Sequence, residues 1–527
     1  MGYNYTVVSH YPCVKGCQMN TTEFILLILV LVYIPLWFIV WKHPAAIRHG
    51  LEKYGPTIKI NTRLGLAFID RFGRYKRFWH WCGVFGQIVS FLLMVTMIFI
   101  MAVAVYRMPQ TLSRGGLGIE YVLAIPGLNP LLPLWYGLLA LIVALICHEL
   151  AHGLQSRAND ITVTHTGLLY AVVPLGAFVE PDQNDVDKAS RRAQIDLFTA
   201  GITTNFVIAA VSFLIFSGVM LGGVSSPYGE NAAVYTEVGD SPAYSAGIPA
   251  GALILDINGE PFSYTDDYTV SSYSWTPGEL VSVHYRTADT DNTVTMAWGL
   301  YVSKTVDGSP AQGILENKIL SSITTSSGTY KFYTQQAFTN FMGTTHPGDT
   351  VTITYTDTAG APMTSTEVTL GKSGNIGYLG VYTTTSGMNL ITPNLLKSTA
   401  ADPFYGANDI PGYAMGMLSY IAHPFSGLDP IPDSVRWWYG DQMFGFWEIC
   451  KIFYWLFWLN IMLGVTNALP AYPFDGGYVF RGWVDALYEK LGRTDKEDRE
   501  RRADEITRNL STLMLFLYAL LVIAIIV

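Results

Sequence analysis

The stretch that decides the fold is LIVALICHELAHG, from Leu141 to Gly153. It belongs to a run, residues 131–154, that is long enough to cross a bilayer, which takes about 20 mostly apolar residues. The run ends in ionisable side chains, which are costly at membrane depth and therefore indicate a functional site. The chemistry of that site depends on how these side chains are spaced.

His148, Glu149 and His152 form an HExxH pattern. Helix residues four apart lie on one face, so the two imidazoles can reach one metal ion, and Glu149 can act on a water molecule beside it. The alternative is a pair of histidines that are hydrogen-bonded inside a helix bundle. A third ligand elsewhere in the chain would distinguish the two interpretations.

The composition is that of a membrane protein. Of the 527 residues, 50% are hydrophobic and only 14% are charged, which is too apolar for an ordinary soluble protein. Lys and Arg concentrate after the first and fifth apolar runs, and the positive-inside rule places both of these loops in the cytoplasm. We therefore predict a polytopic α-helical membrane protein whose two ends are extracytoplasmic. Its six transmembrane helices lie near residues 24–41, 82–106, 131–154, 197–221, 446–468 and 510–527.

A second ionisable residue, Asp475, follows the fifth apolar run in the sequence ALPAYPFDGG. Pro470 and Pro473 precede it, and Gly476 and Gly477 follow it. Unwound backbone at membrane depth occurs only where protein or a water-filled cavity surrounds it. A carboxylate held in such a break is suited to be the third ligand of a metal. The alternative is an aspartate that caps a helix at the cytoplasmic end.

Two further features lie close to the HExxH helix in sequence. The stretch GLLYAVVPLGAFVEPD, residues 167–182, is rich in β-branched residues and predicts a strand or hairpin. An open strand edge there could pair with an unwound peptide, or the hairpin could be purely structural. Asn205 is a single amide in the fourth apolar run, where it joins helices or binds substrate or water.

The segment between the fourth and fifth apolar runs contains an internal repeat. SPA at residues 241–243 recurs at 309–311, and PGELVSVHYRT recurs as PGDTVTITYTD at nearly the same offset. Alternating strands such as VSVHY and VTITY favour two β-rich copies of one domain. These copies could filter substrates or simply cap the membrane domain.

HELAHG at residues 148–153, together with NALPAYPFDGG at 467–477, resembles the site-2 proteases, which are zinc metalloproteases that cleave inside membranes. GAFVEPD and AGITTN add to the likeness. In copy one, SPAYSAGIPAGALILDING resembles a PDZ domain, whereas copy two keeps SPA and PGD but lacks the ING turn.

The resemblance implies that His148, His152 and Asp475 hold Zn²⁺ and that Glu149 is the general base that activates a zinc-bound water. Asn205 and Asn467 match asparagines that position the substrate or the oxyanion. Gly176 and Phe178 would belong to a platform for the substrate strand.

The implied function is intramembrane cleavage of membrane-anchored proteins that another protease has already cut, in regulated intramembrane proteolysis. We expect the cell membrane as location, a site toward the cytoplasm, extracytoplasmic PDZ-like domains and no nucleic-acid partner. The alternatives are a non-proteolytic PDZ-bearing scaffold and another HExxH membrane protease that trims lipidated or misfolded proteins.

The expected segments follow the membrane topology. In chain order they are an extracytoplasmic tail, two helices with a basic loop, the first part of the catalytic core, PDZ-like copies one and two, an interfacial connector and the second part of the core. Cys13 and Cys17 lie in the tail, where a disulfide bridge can form. The segment bounds are 1–23, 24–130, 131–221, 222–300, 301–390, 391–445 and 446–527.

Overall fold

The structure is a computed structural model of the chain. Cys13, Cys17 and most of the predicted tail lie outside the residues that it describes. Those residues are 21–42, 50–112, 126–264, 267–269, 273–358, 360, 362–426 and 429–526. The helices within them are α1 (Thr21–Lys42), α2 (Leu66–Gly73), α3 (Lys76–Leu112), α4 (Leu134–Ala158), α5 (Gln183–Lys188), α6 (Arg191–Leu214), α7 (Pro242–Ala246), α8 (Gln335–Met342), α9 (Pro393–Ala401), α10 (Ile410–Ala422), α11 (Phe446–Asn467), α12 (Asp475–Lys490) and α13 (Lys496–Ile526).

Five helices of the described chain are long and apolar enough to cross a membrane, and they coincide with five of the six predicted spans. A π-helical segment, Ile215–Leu221, continues α6. At the first predicted span the structure has α1, whose described apolar part, Val30–Lys42, is shorter than a span. The chain is thus a membrane protein, and the count of six stays a prediction. The five helices are Lys76–Pro109, Leu134–Ala158, Arg191–Leu221, Phe446–Asn467 and Lys496–Ile526.

The chain forms two compact units, and the first contains these membrane helices. In it, α3 packs closely against α6 because α3 carries glycine at the contact. A Cβ added at Gly83 would lie 2.5 Å from Asp196 Cγ, and one at Gly86 would lie 2.8 Å from Thr203 Oγ1. The buried Asp196 carboxylate accepts a hydrogen bond from Gln87 Nε2 at 2.7 Å. This polar contact joins two helices within the apolar region.

The same unit contains a four-stranded antiparallel sheet in the order β1-β2-β3-β4. The predicted hairpin forms its second half, β3 (Val163–Ala171) and β4 (Val173–Pro181). The basic loop before α3 supplies β1 (Leu51–Tyr54) and β2 (Thr57–Thr62), which the sequence pattern did not indicate. Because β1 and β4 are the outer strands, one edge of β4 is not paired with any strand of the described residues.

Helix α12, which begins at Asp475, is fixed at its other end by buried charges. Asp485 pairs with Arg191 of α6 at 2.8 Å and with Arg499 of α13 at 3.1 Å. Glu489 also pairs with Arg191. Buried charges are stable only when they are paired, and this network restricts how α12 can move relative to α6 and α13.

The second unit is built on one large antiparallel sheet. Its main path has the order β14-β13-β11-β10-β17-β18-β5-β6-β8-β9, with β7 beside β6 and β12 beside β11. Strands β15 and β16 form a separate pair. The strands are β5 (Ala232–Glu237), β6 (Leu253–Ile257), β7 (Glu260–Pro261), β8 (Leu280–Arg286), β9 (Asp291–Ala297), β10 (Leu300–Thr305), β11 (Lys318–Thr325), β12 (Gly328–Lys331), β13 (Thr350–Asp357), β14 (Thr364–Thr369), β15 (Gly371–Ser373), β16 (Ile376–Tyr378), β17 (Val381–Thr385) and β18 (Met388–Ile391).

The sheet order is symmetric about the β17–β18 hairpin. On one side follow β10, β11, β13 and β14, and on the other side follow β5, β6, β8 and β9. Copy one is therefore completed by β18, which lies at the end of the segment 301–390 that was predicted as copy two. Each half encloses its own apolar core, around Trp298 in copy one and Phe332 in copy two. Whether either copy is a PDZ domain stays a prediction.

The repeated SPA sequence makes the same contact in both halves. Each SPA serine packs against a glycine with positive φ just before the last strand of its half: Ser241 against Gly387, and Ser309 against Gly380. A Cβ added at either glycine would overlap the side chain of the serine that packs on it. The repeat in sequence thus corresponds to a repeated packing contact.

The predicted interfacial connector contains α9, α10 and two short 3-10 helices, His423–Ser426 and Asp433–Tyr439. Helix α10 has no charged residue, and Ile410, Tyr413 and Met415 are exposed on it. A helix of this length is too short to cross a membrane, and its placement at the interface stays a prediction.

Candidate metal centre

Helix α4 places two imidazoles side by side. It runs unbroken from Leu134 to Ala158, so His148 and His152 lie one turn apart on the same face. Both side chains are buried, and their Nε2 atoms are 3.1 Å apart. The spacing in sequence is therefore realised as a pair of converging ring nitrogens.

Asp475 reaches this pair from α12, more than 300 residues later in the chain. Its Oδ2 atom lies 3.1 Å from His148 Nε2 and 3.3 Å from His152 Nε2. Gly476 and Gly477 permit the approach, because a Cβ at either one would lie within 2.7 Å of the backbone of Ala468 or Ala471. The glycines after Asp475 thus let the first turn of α12 fold back onto the end of α11.

The three converging atoms fit a metal ion. Zinc about 2.0–2.1 Å from tetrahedral ligands holds those ligands about 3.3 Å apart, and the distances here are 3.1, 3.1 and 3.3 Å. Asp475 Oδ2 is buried and receives no hydrogen bond from any residue that the structure describes. A buried acceptor without a donor is costly, and a cation at this point would satisfy it.

The Nδ1 atom of each ring, which we call its outer nitrogen, also has a hydrogen-bonding partner. His152 Nδ1 lies 2.8 Å from the carbonyl oxygen of Leu197, which can only accept, so this nitrogen carries the proton and Nε2 keeps its lone pair. His148 Nδ1 lies 3.1 Å from the Asn205 side-chain amide, whose Oδ1 has no partner within the described chain. A half-turn of this amide brings Oδ1 to His148 Nδ1–H and directs the His148 Nε2 lone pair inward. Such contacts orient metal ligands in proteins.

Asn205 therefore contacts the ring of His148. The sequence had indicated either helix packing or a contact with substrate or water. Its side chain is fully buried, and the contact that the structure shows is the one to His148. Asn467, by contrast, is the last residue of α11 and is half-buried, and no contact of its side chain connects it to the two histidines.

Gly201 is the site residue that sequence reasoning missed. It lies on α6 facing the two rings, and an added Cβ would lie 2.5 Å from His152 Nε2 and 2.6 Å from His148 Nε2. Only glycine leaves this space free. The available signal was AGITTN itself, in which a glycine stands one helical turn before Asn205.

Glu149 points to the sheet. Its Oε2 atom accepts a hydrogen bond from the backbone N–H of Val179 in β4 at 3.1 Å. The carboxylate of Glu149 therefore lies between α4 and β4, the outer strand of the sheet.

The predicted platform residues Gly176 and Phe178 lie in β4, opposite Leu169 and Gly167 of β3. Backbone groups in an antiparallel strand alternate in direction. Since Val179 N–H faces Glu149, the N–H groups of Gly176 and Phe178 face β3, whereas that of Ala177 faces the unpaired edge. The Phe178 ring itself lies under Lys59 Nζ, 4.7 Å from its centroid.

Comparison with known proteins agrees with this geometry. A family model described as Peptidase family M50 matches residues 136–503, a region that includes Glu149 and all three clustered side chains. The chain belongs to Peptidase family M50. This is the family of the site-2 proteases, so the resemblance seen in the sequence is confirmed, and its members are zinc metalloproteases.

One curated relative is similar to a smaller region of the chain. Uncharacterized protein MJ0971 of Methanocaldococcus jannaschii is 30% identical over 203 residues, or 38% of the chain and 52% of that protein. The chain thus spans about half the length of this relative. The name of that protein assigns no activity to it.

A Gly201→Ala substitution should abolish high-affinity metal binding, because the methyl group would occupy the space between the two rings. We expect zinc affinity to fall by at least about tenfold. Zinc content and chelator competition of the purified chain measure this, with circular dichroism as a check on folding.

The matched control for that substitution is Gly464→Ala, which also adds a methyl group between α11 and α6. Its nearest contact, Asn205 Cβ at 3.5 Å, is an ordinary one. Wild-type zinc affinity in Gly201→Ala would contradict the proposed geometry.

Proposed function

We propose that this protein is a zinc-dependent intramembrane endopeptidase that cleaves transmembrane segments of membrane-anchored proteins. The proposal rests on the buried cluster of His148, His152 and Asp475. Glu149, which lies on the same helix as the two histidines, is directed to an unpaired strand edge. Two imidazoles and one carboxylate are a ligand set that leaves zinc a position open for catalysis.

Each polar residue then has a separate task. His148, His152 and Asp475 hold the ion, while Leu197 and Asn205 fix the two rings. When bound, zinc supplies Lewis acidity to the attacking water and to the peptide carbonyl. Glu149 takes a proton from the water and passes it to the leaving amine.

The substrate of an intramembrane protease has to be unwound. All peptide carbonyls of a transmembrane helix are hydrogen-bonded within the helix, so the scissile bond is protected until the helix opens. The edge of β4 provides a partner for the opened segment, since Ala177 and Val179 direct backbone groups away from β3. Strand addition there would bring the substrate backbone next to Glu149.

Asn467 has a less direct role in this proposal. As the last residue of α11 it closely precedes the turn that delivers Asp475, and its side chain is not fully buried. Its amide could donate a hydrogen bond to the substrate carbonyl as negative charge develops there.

The distribution of Lys and Arg supports a site that opens toward the cytoplasm, with the two β-rich copies outside. In this arrangement the copies would admit only substrates whose bulky outer domains another protease has already removed. A scaffold without proteolytic activity would need neither a clustered ligand set nor Glu149 beside a strand edge.

A Glu149→Gln substitution should abolish cleavage and leave zinc bound. The amide of the new side chain can still accept the hydrogen bond from Val179 N–H, but it cannot take a proton, so the rate should fall at least about a hundredfold. Zinc content and cleavage of a membrane-anchored substrate are measured on the same preparation. Glu505→Gln, at an exposed position of α13, serves as control and should cleave normally.

An Asp475→Ala variant in the same series should lose zinc and cleavage together, because it removes one of the three ligands. If Glu149→Gln cleaved at the wild-type rate, the assigned role of Glu149 would be wrong.

Proline substitutions in β4 test the strand edge. Ala177→Pro removes an N–H that faces the unpaired edge, so the sheet should survive while cleavage falls. Phe178→Pro removes an N–H that faces β3 and should lower the melting temperature itself. Thermal unfolding and cleavage are compared for both variants. An active Ala177→Pro variant would exclude strand addition at this edge.

A further inference from the structure

Four arginines in the region of α2 and the first turn of α3 have no acidic partner within the part of the chain that the structure describes. Arg63, Arg71, Arg74 and Arg77 are all exposed. The neighbouring Lys76 differs, because it pairs with Asp160 at 2.6 Å. We call residues 63–81 the basic corner. They comprise α2, the residues on either side of it and the beginning of α3.

The basic corner also exposes large apolar side chains between these charges. Leu64 is 81% exposed, and Trp81 is 70% exposed. Such a mixture is unfavourable in water but suits the headgroup region of a bilayer, where apolar groups enter the acyl boundary and cations meet phosphates. The exposed aromatic residues of the corner are Phe68, Phe72, Tyr75, Phe78 and Trp81.

The corner is continuous with a membrane helix. Lys76, which belongs to the corner, is the first residue of α3, the apolar helix found at the second predicted span. The indole of Trp79 donates a hydrogen bond to the carbonyl of Phe72 at 2.9 Å, which fastens α2 to the first turn of α3. Arg71 of α2 and Arg74 after it are therefore held within a few residues of the point where the chain enters the bilayer.

The opposite face of α2 lies against the ligand helix. Ile69 is 1% exposed, and a Cβ added at Gly153, the residue after His152, would lie 2.6 Å from Ile69 Cδ1. Asp70 pairs with Arg157 of α4 at 2.9 Å. Helix α2 thus packs on the turn of α4 that carries the second imidazole.

We propose that the basic corner binds the headgroups of anionic phospholipids and that this binding holds α2 against α4. An aqueous polyanion would leave Phe68, Phe72 and Trp81 in water, whereas a bilayer surface covers them. The consequence for catalysis rests on the proposed function: cleavage should be faster in a bilayer that contains anionic lipid.

The test uses the full chain in nanodiscs of phosphatidylcholine alone or with one third phosphatidylglycerol. Hydrogen exchange reports the α2 amides, and we expect them to exchange at least about fivefold more slowly in the anionic bilayer. The triple variant Arg71→Gln/Arg74→Gln/Arg77→Gln should lose this difference. Glu149→Gln should keep it, because lipid binding does not depend on proteolysis.

The control variant is Lys496→Gln/Arg501→Gln/Arg508→Gln, which changes the net charge equally. These cations are exposed but paired with acidic residues of α13, so the response of α2 should persist. Equal exchange of α2 in both bilayers, or equal loss of the response in the control, would overturn the proposal.

Cleavage rates in the same nanodiscs test the coupling. The wild type should cleave several-fold faster with phosphatidylglycerol, and the basic-corner variant should not. Slower exchange of α2 without any change in rate would refute the coupling to α4 and leave the lipid site standing. Failure of the proposed function would instead appear as absence of cleavage in both bilayers.

Discussion

Everything in the membrane unit depends on bringing one carboxylate to two imidazoles inside a largely apolar helix assembly. Asp475 Oδ2 lies within 3.3 Å of both His148 Nε2 and His152 Nε2, and it accepts no hydrogen bond from the described residues. A buried carboxylate oxygen without a hydrogen-bond donor is unfavourable unless a cation binds to it. The glycines at the contacts follow from this requirement, because Gly201 leaves room beside the rings and Gly476 lets the α12 backbone approach α11.

The cluster is supported from several directions. Leu197 and Asn205 of α6 fix the outer nitrogens of the rings, while Asp485 ties the far end of α12 to Arg191 and Arg499. Helix α6 therefore contacts both imidazole rings and α12, the helix that begins at Asp475. Contacts outside the ligand set generally matter for affinity because they set the direction of the ligand lone pairs.

Much of this arrangement could be predicted from sequence, because helical periodicity alone puts His148 and His152 on one face. The break around Asp475 was also visible, since prolines and glycines rarely interrupt an apolar run without reason. What could not be predicted depends on contacts between distant segments. The pairing of β2 with β3 has no local signal, the glycine in AGITTN does not tell which side chains it faces, and Asn205 could have faced any neighbour.

In the proposed function, His148, His152 and Asp475 together bind zinc. Zinc K-edge X-ray absorption of the purified full chain tests this ligand set, since sulfur scatters differently from nitrogen or oxygen and each imidazole ring adds multiple scattering of its own. We expect two imidazole ligands, oxygen for the remaining ligands and no sulfur, and we expect His152→Ala to lose its zinc as Asp475→Ala does. A sulfur ligand from nearby Cys147, or a spectrum that His152→Ala leaves unchanged, would contradict it.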